Sequence, residues 1–179
     1  MASGEQHNSD TEVSATNFVL NKYSNVREKR KVILFKSTVN GYHHFRIRPL
    51  VGVNMPMYLV EEDDNVYDAN AICVKIPDIE FFNKIDEHLP TKDGQTVKDV
   101  AGKICGRVPR KIASILKGHI TCNMLTHAHV FSLGTFTHLG PVKGGGPQLD
   151  CIYILLVRDN GVDTIMSQLK IAGLTVKIV

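Results

Sequence analysis

No run in this sequence approaches the roughly 18 consecutive apolar residues that a spanning helix needs, so no transmembrane helix is predicted. The opening MASGEQHNSD has neither a basic start nor an apolar stretch, which predicts no secretory leader and a reducing, intracellular compartment. Cysteine is scarce: Cys73, Cys105, Cys122 and Cys151 form no CxxC pair, and each sits in or beside an apolar run (AICVKI, KICG, ITCNM, LDCIYI). They read as small core hydrophobes rather than zinc ligands, because metal pairs usually come at short spacing. There is no GxxxxGK[ST], so Lys143-Gly144-Gly145-Gly146-Pro147 reads as a flexible turn and not an ATP loop. No Ser/His/Asp or Cys/His arrangement stands out. His127 and His129, at i and i+2 on one strand face, could share a metal, but no third ligand accompanies them and Cys122 falls on the opposite face. The expectation is a non-enzymatic chain with no cofactor and no metal. Charge imbalance is also small. A formal net charge of +3 and a pI near 8.6 permit a nucleic-acid partner without demanding one.

What is present is the composition of an ordinary globule: 179 residues, 43% hydrophobic and 22% charged, enough for one domain burying about 70% of its unfolded surface. Residues 1–31 are expected to be a disordered tail, polar and irregular through residue 21. The basic cluster Arg27-Glu28-Lys29-Arg30-Lys31 follows, readable as a nuclear-import signal, a phosphate contact or a solvated linker. Short strands are predicted at Val32–Phe35, Tyr42–Ile47, Pro56–Val60, Ala71–Ile76 and Ile104–Val108, with Asn40-Gly41 as a turn. Residues 77–102 read as an insertion holding a short helix from Asp78 to Leu89 and then a loop. Pro109 opens a helix over Arg110–Lys117, with Gly118 as its stop. Ile120–Phe131 alternates as a long strand, and Leu149–Val157 is apolar on both faces, the mark of a central strand covered from both sides. A last helix, capped by Asn160 and ended by Gly173, carries a stripe of Val162, Ile165, Met166 and Leu169, and Thr175–Val179 adds an edge strand. Many short strands with two short helices imply an α+β, mainly β domain built on a small twisted β-barrel.

Within that pattern, Asn65-Val66-Tyr67-Asp68-Ala69-Asn70-Ala71-Ile72-Cys73-Val74 resembles the N-x-Y-D-x-N-A-I-x-V signature of the HIRAN domain family. Gly106-Arg107-Val108-Pro109 is similar to the family's G-x-(V/L)-P block, and Gly41-Tyr42-His43-His44-Phe45 lies where the family has a glycine and an aromatic-rich strand. The likeness runs over roughly residues 32–178, placing a HIRAN-like domain at 32–179. It implies an OB-like or SH3-like barrel that binds the 3′ end of single-stranded DNA. In the family such a module serves DNA repair in the nucleus, helping a remodelling ATPase find stalled replication forks. This chain carries no motor, so remodelling is not implied; a separate protein partner would have to supply ATPase or nuclease activity.

A reader of 3′ ends must hold phosphates, stack unpaired bases and recognise a free hydroxyl. Phosphates need Lys or Arg, and bases stack on aromatic faces at about 1–3 kcal/mol each. A carboxylate accepts from a hydroxyl and repels a phosphate, which discriminates a blocked end. By resemblance, Tyr67 stacks on the terminal nucleotide, Asp68 accepts from its hydroxyl, and Asn65 bonds backbone or base. His43, His44 and Phe45 offer stacking faces, and Arg107, Arg110 and Lys111 flank a helix start suited to phosphate. The same residues have plainer readings: Asn65 and Asp68 as Asx turns with Tyr67 filling a barrel end, His43–Phe45 as alternating strand positions, and the cations as a solvated helix face. Glu61, Glu62, Asp63 and Asp64 cut against a DNA backbone unless some point elsewhere. Two readings follow: a non-catalytic module for single-stranded DNA 3′ ends, or a protein-interaction module that keeps the barrel without the DNA site. A nuclease is disfavoured by the lack of a metal cluster.

Overall fold

Period-two apolar runs become seven antiparallel strands in the structure, a computed structural model that describes residues 2–26, 29–47, 55–84, 86–91, 94–137 and 146–179. The strands are β1 (Arg30–Val39), β2 (Met57–Glu61), β3 (Ile72–Lys75), β4 (Ile104–Arg107), β5 (Leu125–Thr137), β6 (Gln148–Arg158) and β7 (Val176–Ile178), in the sheet order β4-β3-β2-β5-β6-β1-β7. The sheet curls until its two halves meet. Asn40, just past β1, bridges Arg107 of β4, each N–H donating to the other's carbonyl at 2.9 and 2.8 Å. Gly106 permits this approach: a Cβ there would lie 2.4 Å from the Asn40 carbonyl oxygen and 2.5 Å from Val39 Cγ1. Closure is incomplete, because β2 and β5 pair only through Met57–Val130 and Tyr58–His129. The fold is thus α+β and mainly β, a small barrel not strictly closed.

Alternation along the strands sorts two cores. Odd residues of β1 and β6 (Ile33, Phe35, Leu149, Tyr153, Leu155) point into the barrel with Met57, Ile72, Val74 and Cys105. The barrel core is completed by helices α4 (Arg110–Thr121) and α5 (Val162–Ile171) through Ile112, Leu116, Ile165 and Leu169. Tyr153 is fully buried because its ring stacks on Phe35 at 4.9 Å and its hydroxyl donates to the Thr38 carbonyl at 2.6 Å. Even residues (Val32, Leu34, Ile152, Ile154, Leu156) face outward and are covered with Phe131 and Leu133. The cover is α1 (Ala2–Lys22), laid down through Ala15 and Val19 with Phe18, Leu20 and Tyr23 alongside. The expected two-sided burial of the Leu149–Val157 strand is therefore met, each buried aliphatic side chain being worth about 1.5–3 kcal/mol.

Several local expectations are corrected. The segment expected to be a disordered tail is helical over residues 2–22, because an apolar outer sheet face gives its sparse Ala15/Phe18/Val19 stripe something to bury. Tyr42–Phe45 is a single helical turn, α2, and not a strand: Gly41 at φ 92° turns the chain away from β1 and Arg46 at φ 55° closes the turn. The Asp78–Leu89 helix is reduced to 3-10 turns at Ile79–Phe81 and Asp86–His88. The loop after it contains one more turn of helix, α3 (Val97–Val100), held by a capping box of Thr96 and Asp99 and burying Val97 and Val100. Helix α4 runs through Gly118 to Thr121, so Ile120 and Cys122 do not belong to the strand, and Cys122 is exposed at the helix end. The other three cysteines are buried and free. Arg27 and Glu28 of the basic cluster, the side chain of His43, and Lys143-Gly144-Gly145 of the expected turn lie outside the described residues. Among the described residues no helix is long and apolar enough to cross a membrane, and no three His, Cys, Asp or Glu side chains converge as a metal site.

Candidate nucleic-acid interface

The turn between β2 and β3 is built by its own polar side chains. Asn65 Oδ1 accepts from the N–H groups of Tyr67 and Asp68 at 2.9 and 3.0 Å, and Asp68 Oδ1 accepts from the Asn70 N–H at 2.9 Å. These are the Asx contacts that the plainer reading of the motif expected. They also have a consequence that reading left out. Tyr67 does not fill a barrel end: it stands at the tip of the turn 91% exposed, beside Val66 at 87%. A stiff turn therefore holds an aromatic face out to solvent.

The remaining sequence-derived residues gather around this turn through one hub, Glu62. Arg107 Nε and Nη2 donate to its two carboxylate oxygens at 3.0 and 2.9 Å, and Asn65 Nδ2 donates to it at 3.3 Å. The Arg107 guanidinium is the main reason that the Glu62 carboxyl is held down at about 2. Arg107 also lies over the Phe45 ring, 5.5 Å from its centroid, which ties α2 to β4. On the far side, Arg110 Nε is 3.5 Å from Asp68 Oδ2, with the arginine side chain 80% exposed and the aspartate 22%. The network runs from Phe45 through Arg107, Glu62, Asn65 and Asp68 to Arg110. His44 is exposed, edge-on to Phe45 at 4.9 Å. Lys111 is exposed in the first turn of α4 and, among the described residues, forms no ion pair.

The acidic run that opposes a DNA backbone is half neutralised in place, two cations standing against its four carboxylates. Lys117 reaches Glu61 and Asp63, both at 2.8 Å, and these bonds raise its pKa. Arg107 is likewise engaged by Glu62, so of the cations expected at the site Lys111, and Arg110 held only at 3.5 Å by Asp68, can turn to an outside anion. Sequence reasoning had Arg107 as a phosphate ligand. It missed Glu62 as that residue's partner, because a contact spanning 45 residues exists only once β2, β3 and β4 are side by side. Cys73, opposite Arg107 in β4, donates to Glu62 at 3.5 Å, and burial pushes its thiol up to about 11, which makes it a poor nucleophile.

No protein-family profile matches the chain, and no curated protein matches it. Among solved structures it is similar to the HIRAN domain of human HLTF, at 15% sequence identity and a TM-score of 0.47, over 78% of this chain and 90% of that one. A likeness of that size leaves function to be argued from this chain's own residues.

Proposed function

We propose that this chain is a non-catalytic nucleic-acid-binding module that takes the 3′ end of single-stranded DNA at the turn between β2 and β3. The observation that carries the reading is Tyr67. A tyrosine 91% exposed on a turn stiffened by Asn65 and Asp68 loses apolar contact in the free protein and offers a stacking face of low conformational entropy. Asp68 Oδ2 is bound only at 3.5 Å by an exposed arginine, so it can accept from a terminal hydroxyl while Arg110 turns to the adjacent phosphate. Lys111 adds a second cation at the start of α4, whose N-terminal N–H groups favour an anion. The reading extends to a nuclear location, where single-stranded DNA ends would be met, and to a partner protein as the source of any catalysis.

A specific observation favours the second reading, a protein-interaction module. Five carboxylates (Glu61, Glu62, Asp63, Asp64, Asp68) stand against four cations (Arg107, Arg110, Lys111, Lys117) along these segments, a balance unlike a phosphate-binding groove. Titration of labelled single-stranded oligonucleotides ending in a free 3′-hydroxyl or a 3′-phosphate separates the two. The DNA reading expects tighter binding to the free hydroxyl, lost with Asp68→Ala and weakened by salt. Equal binding to both ends, or none at physiological ionic strength, leaves the protein-interaction reading.

A further inference from the structure

On the α1 side of the sheet a cation sits in an aromatic enclosure that the turn site does not use. Lys22, the last residue of α1, places its ammonium 5.8 Å from the Phe18 centroid, 5.8 Å from Tyr23 and 5.5 Å from Tyr58, and donates to the Tyr58 hydroxyl at 3.3 Å. Each ring is fixed from behind. Phe18 meets Phe81 and Phe131 edge-on at 6.2 and 6.1 Å, Tyr23 stacks on His129 at 5.6 Å, and Tyr58 meets His129 edge-on at 5.0 Å. The Tyr23 hydroxyl and His129 Nε2 are also hydrogen-bonded. Among the described residues Lys22 forms no ion pair, so its charge is held by rings and one phenol.

The distances matter. Cation–π attraction reaches to about 6 Å from a ring centroid, and the bare ammonium sits near that limit at 5.8 Å from Phe18 and Tyr23, while Tyr58, its hydroxyl at 3.3 Å and its centroid at 5.5 Å, meets the ammonium from the phenol edge. A compact ammonium also keeps much of its hydration. Methyl groups on the nitrogen would fill the remaining gap, shed that water and keep the charge. We propose that Phe18, Tyr23 and Tyr58 form a recognition cage for a methylated lysine of a partner polypeptide, with Lys22 as a built-in occupant that the partner displaces. A polypeptide suits the surroundings better than a small free amine. Phe18 and the occupant Lys22 also border a cleft along α1 of about 600 Å³, whose other lining residues are Ser14, Asn17 and Asn21, and the two asparagine amides can hydrogen-bond a peptide backbone. Lys22 itself is exposed, so its side chain can leave without unpacking the helix.

The test is calorimetric titration of a trimethyllysine peptide, the same peptide unmodified, and tetramethylammonium into the full chain, Lys22→Ala and Lys22→Ala/Tyr58→Ala, with melting curves for each. Lys22→Gln substitutes if the alanine variant does not fold. The expected result is that removing Lys22 strengthens binding of the methylated peptide, that this variant prefers it over the unmodified peptide by about tenfold, and that Tyr58→Ala abolishes the preference. Equal binding of the two peptides, no effect of Tyr58→Ala in a folded chain, or tetramethylammonium binding as tightly as the peptide overturns the proposal.

Discussion

Replacing Gly106 by alanine tests whether the barrel closes where the structure closes it. The added Cβ would stand 2.4 Å from the Asn40 carbonyl oxygen and 2.5 Å from Val39 Cγ1, where ordinary contact begins at 3.4 Å. The nearer atom is backbone and cannot rotate away, so β4 and the end of β1 must part by about 1 Å. That separation breaks the two Asn40–Arg107 hydrogen bonds, now 2.9 and 2.8 Å, each worth about 0.5–1.5 kcal/mol. Overpacking strain in a filled site adds about 1–3 kcal/mol. The combined cost is about 2–6 kcal/mol, and at about 2–4 °C per kcal/mol for a chain of this size the melting temperature should fall by roughly 4–24 °C. Thermal melts followed by far-ultraviolet circular dichroism read this directly. Urea unfolding should show a lower midpoint at an unchanged slope. A Gly106→Ala chain that melts within about 1 °C of the parent would refute the seam, and with it the placement of Arg107 beside Glu62 and Phe45.

Tyr67→Ala should leave the melting temperature unchanged, since an exposed tip contributes little to stability, yet weaken oligonucleotide binding by about 1–3 kcal/mol; a loss of stability instead would show the ring to be packed. Glu62→Gln frees Arg107 from its carboxylate and should tighten oligonucleotide binding in direct titration, while costing about 1 kcal/mol of stability because the pair is partly solvated. Acid should destabilise the chain in two windows. His129, buried and hydrogen-bonded to Tyr23, has its pKa pushed down from 6.5 to about 4 by burial and by Lys22, so the unfolded chain binds this proton first. Stability should fall as pH drops from about 6.5 to 4, by on the order of 3 kcal/mol at about 1.4 kcal/mol per pH unit, and His129→Gln should remove that slope in urea titrations. Glu62, lowered from 4.5 to about 2, likewise stabilises above 4.5 and loses that contribution as pH falls toward 2, a lower limb that Glu62→Gln should flatten.

Particular residues show how legible the chain was. The β6 run Cys151–Val157 announced two-sided burial because period-two alternation fails there, and the structure places β6 between β5 and β1 with cores on both faces. The same run required a cover that was not recognised in Ala15, Phe18 and Val19, since three apolar residues in a polar helix make a weak stripe that tertiary burial, and not propensity, turns into α1. Tyr42–Phe45 read as strand because aromatics favour strands, but Gly41 in the left-handed region redirects the backbone before a strand can form. At the site, Asn65 and Asp68 as turn-builders were readable from spacing alone, because Asx contacts span only two or three residues.

By itself the sequence determined what local chemistry can encode: antiparallel strands from alternation, turn positions from Asn-Gly and Asx residues, the start of α4 from Pro109, and α5 from its apolar stripe. Only the tertiary structure decided which charges remain available. Arg107 and Lys117 are bound by carboxylates 45–56 residues away in sequence, Tyr67 is exposed and not packed, and Lys22 lies among three rings. The physical reason is that periodicity reports a side chain's face, whereas an ion pair depends on distances that exist only after strands from separate parts of the chain have been brought together.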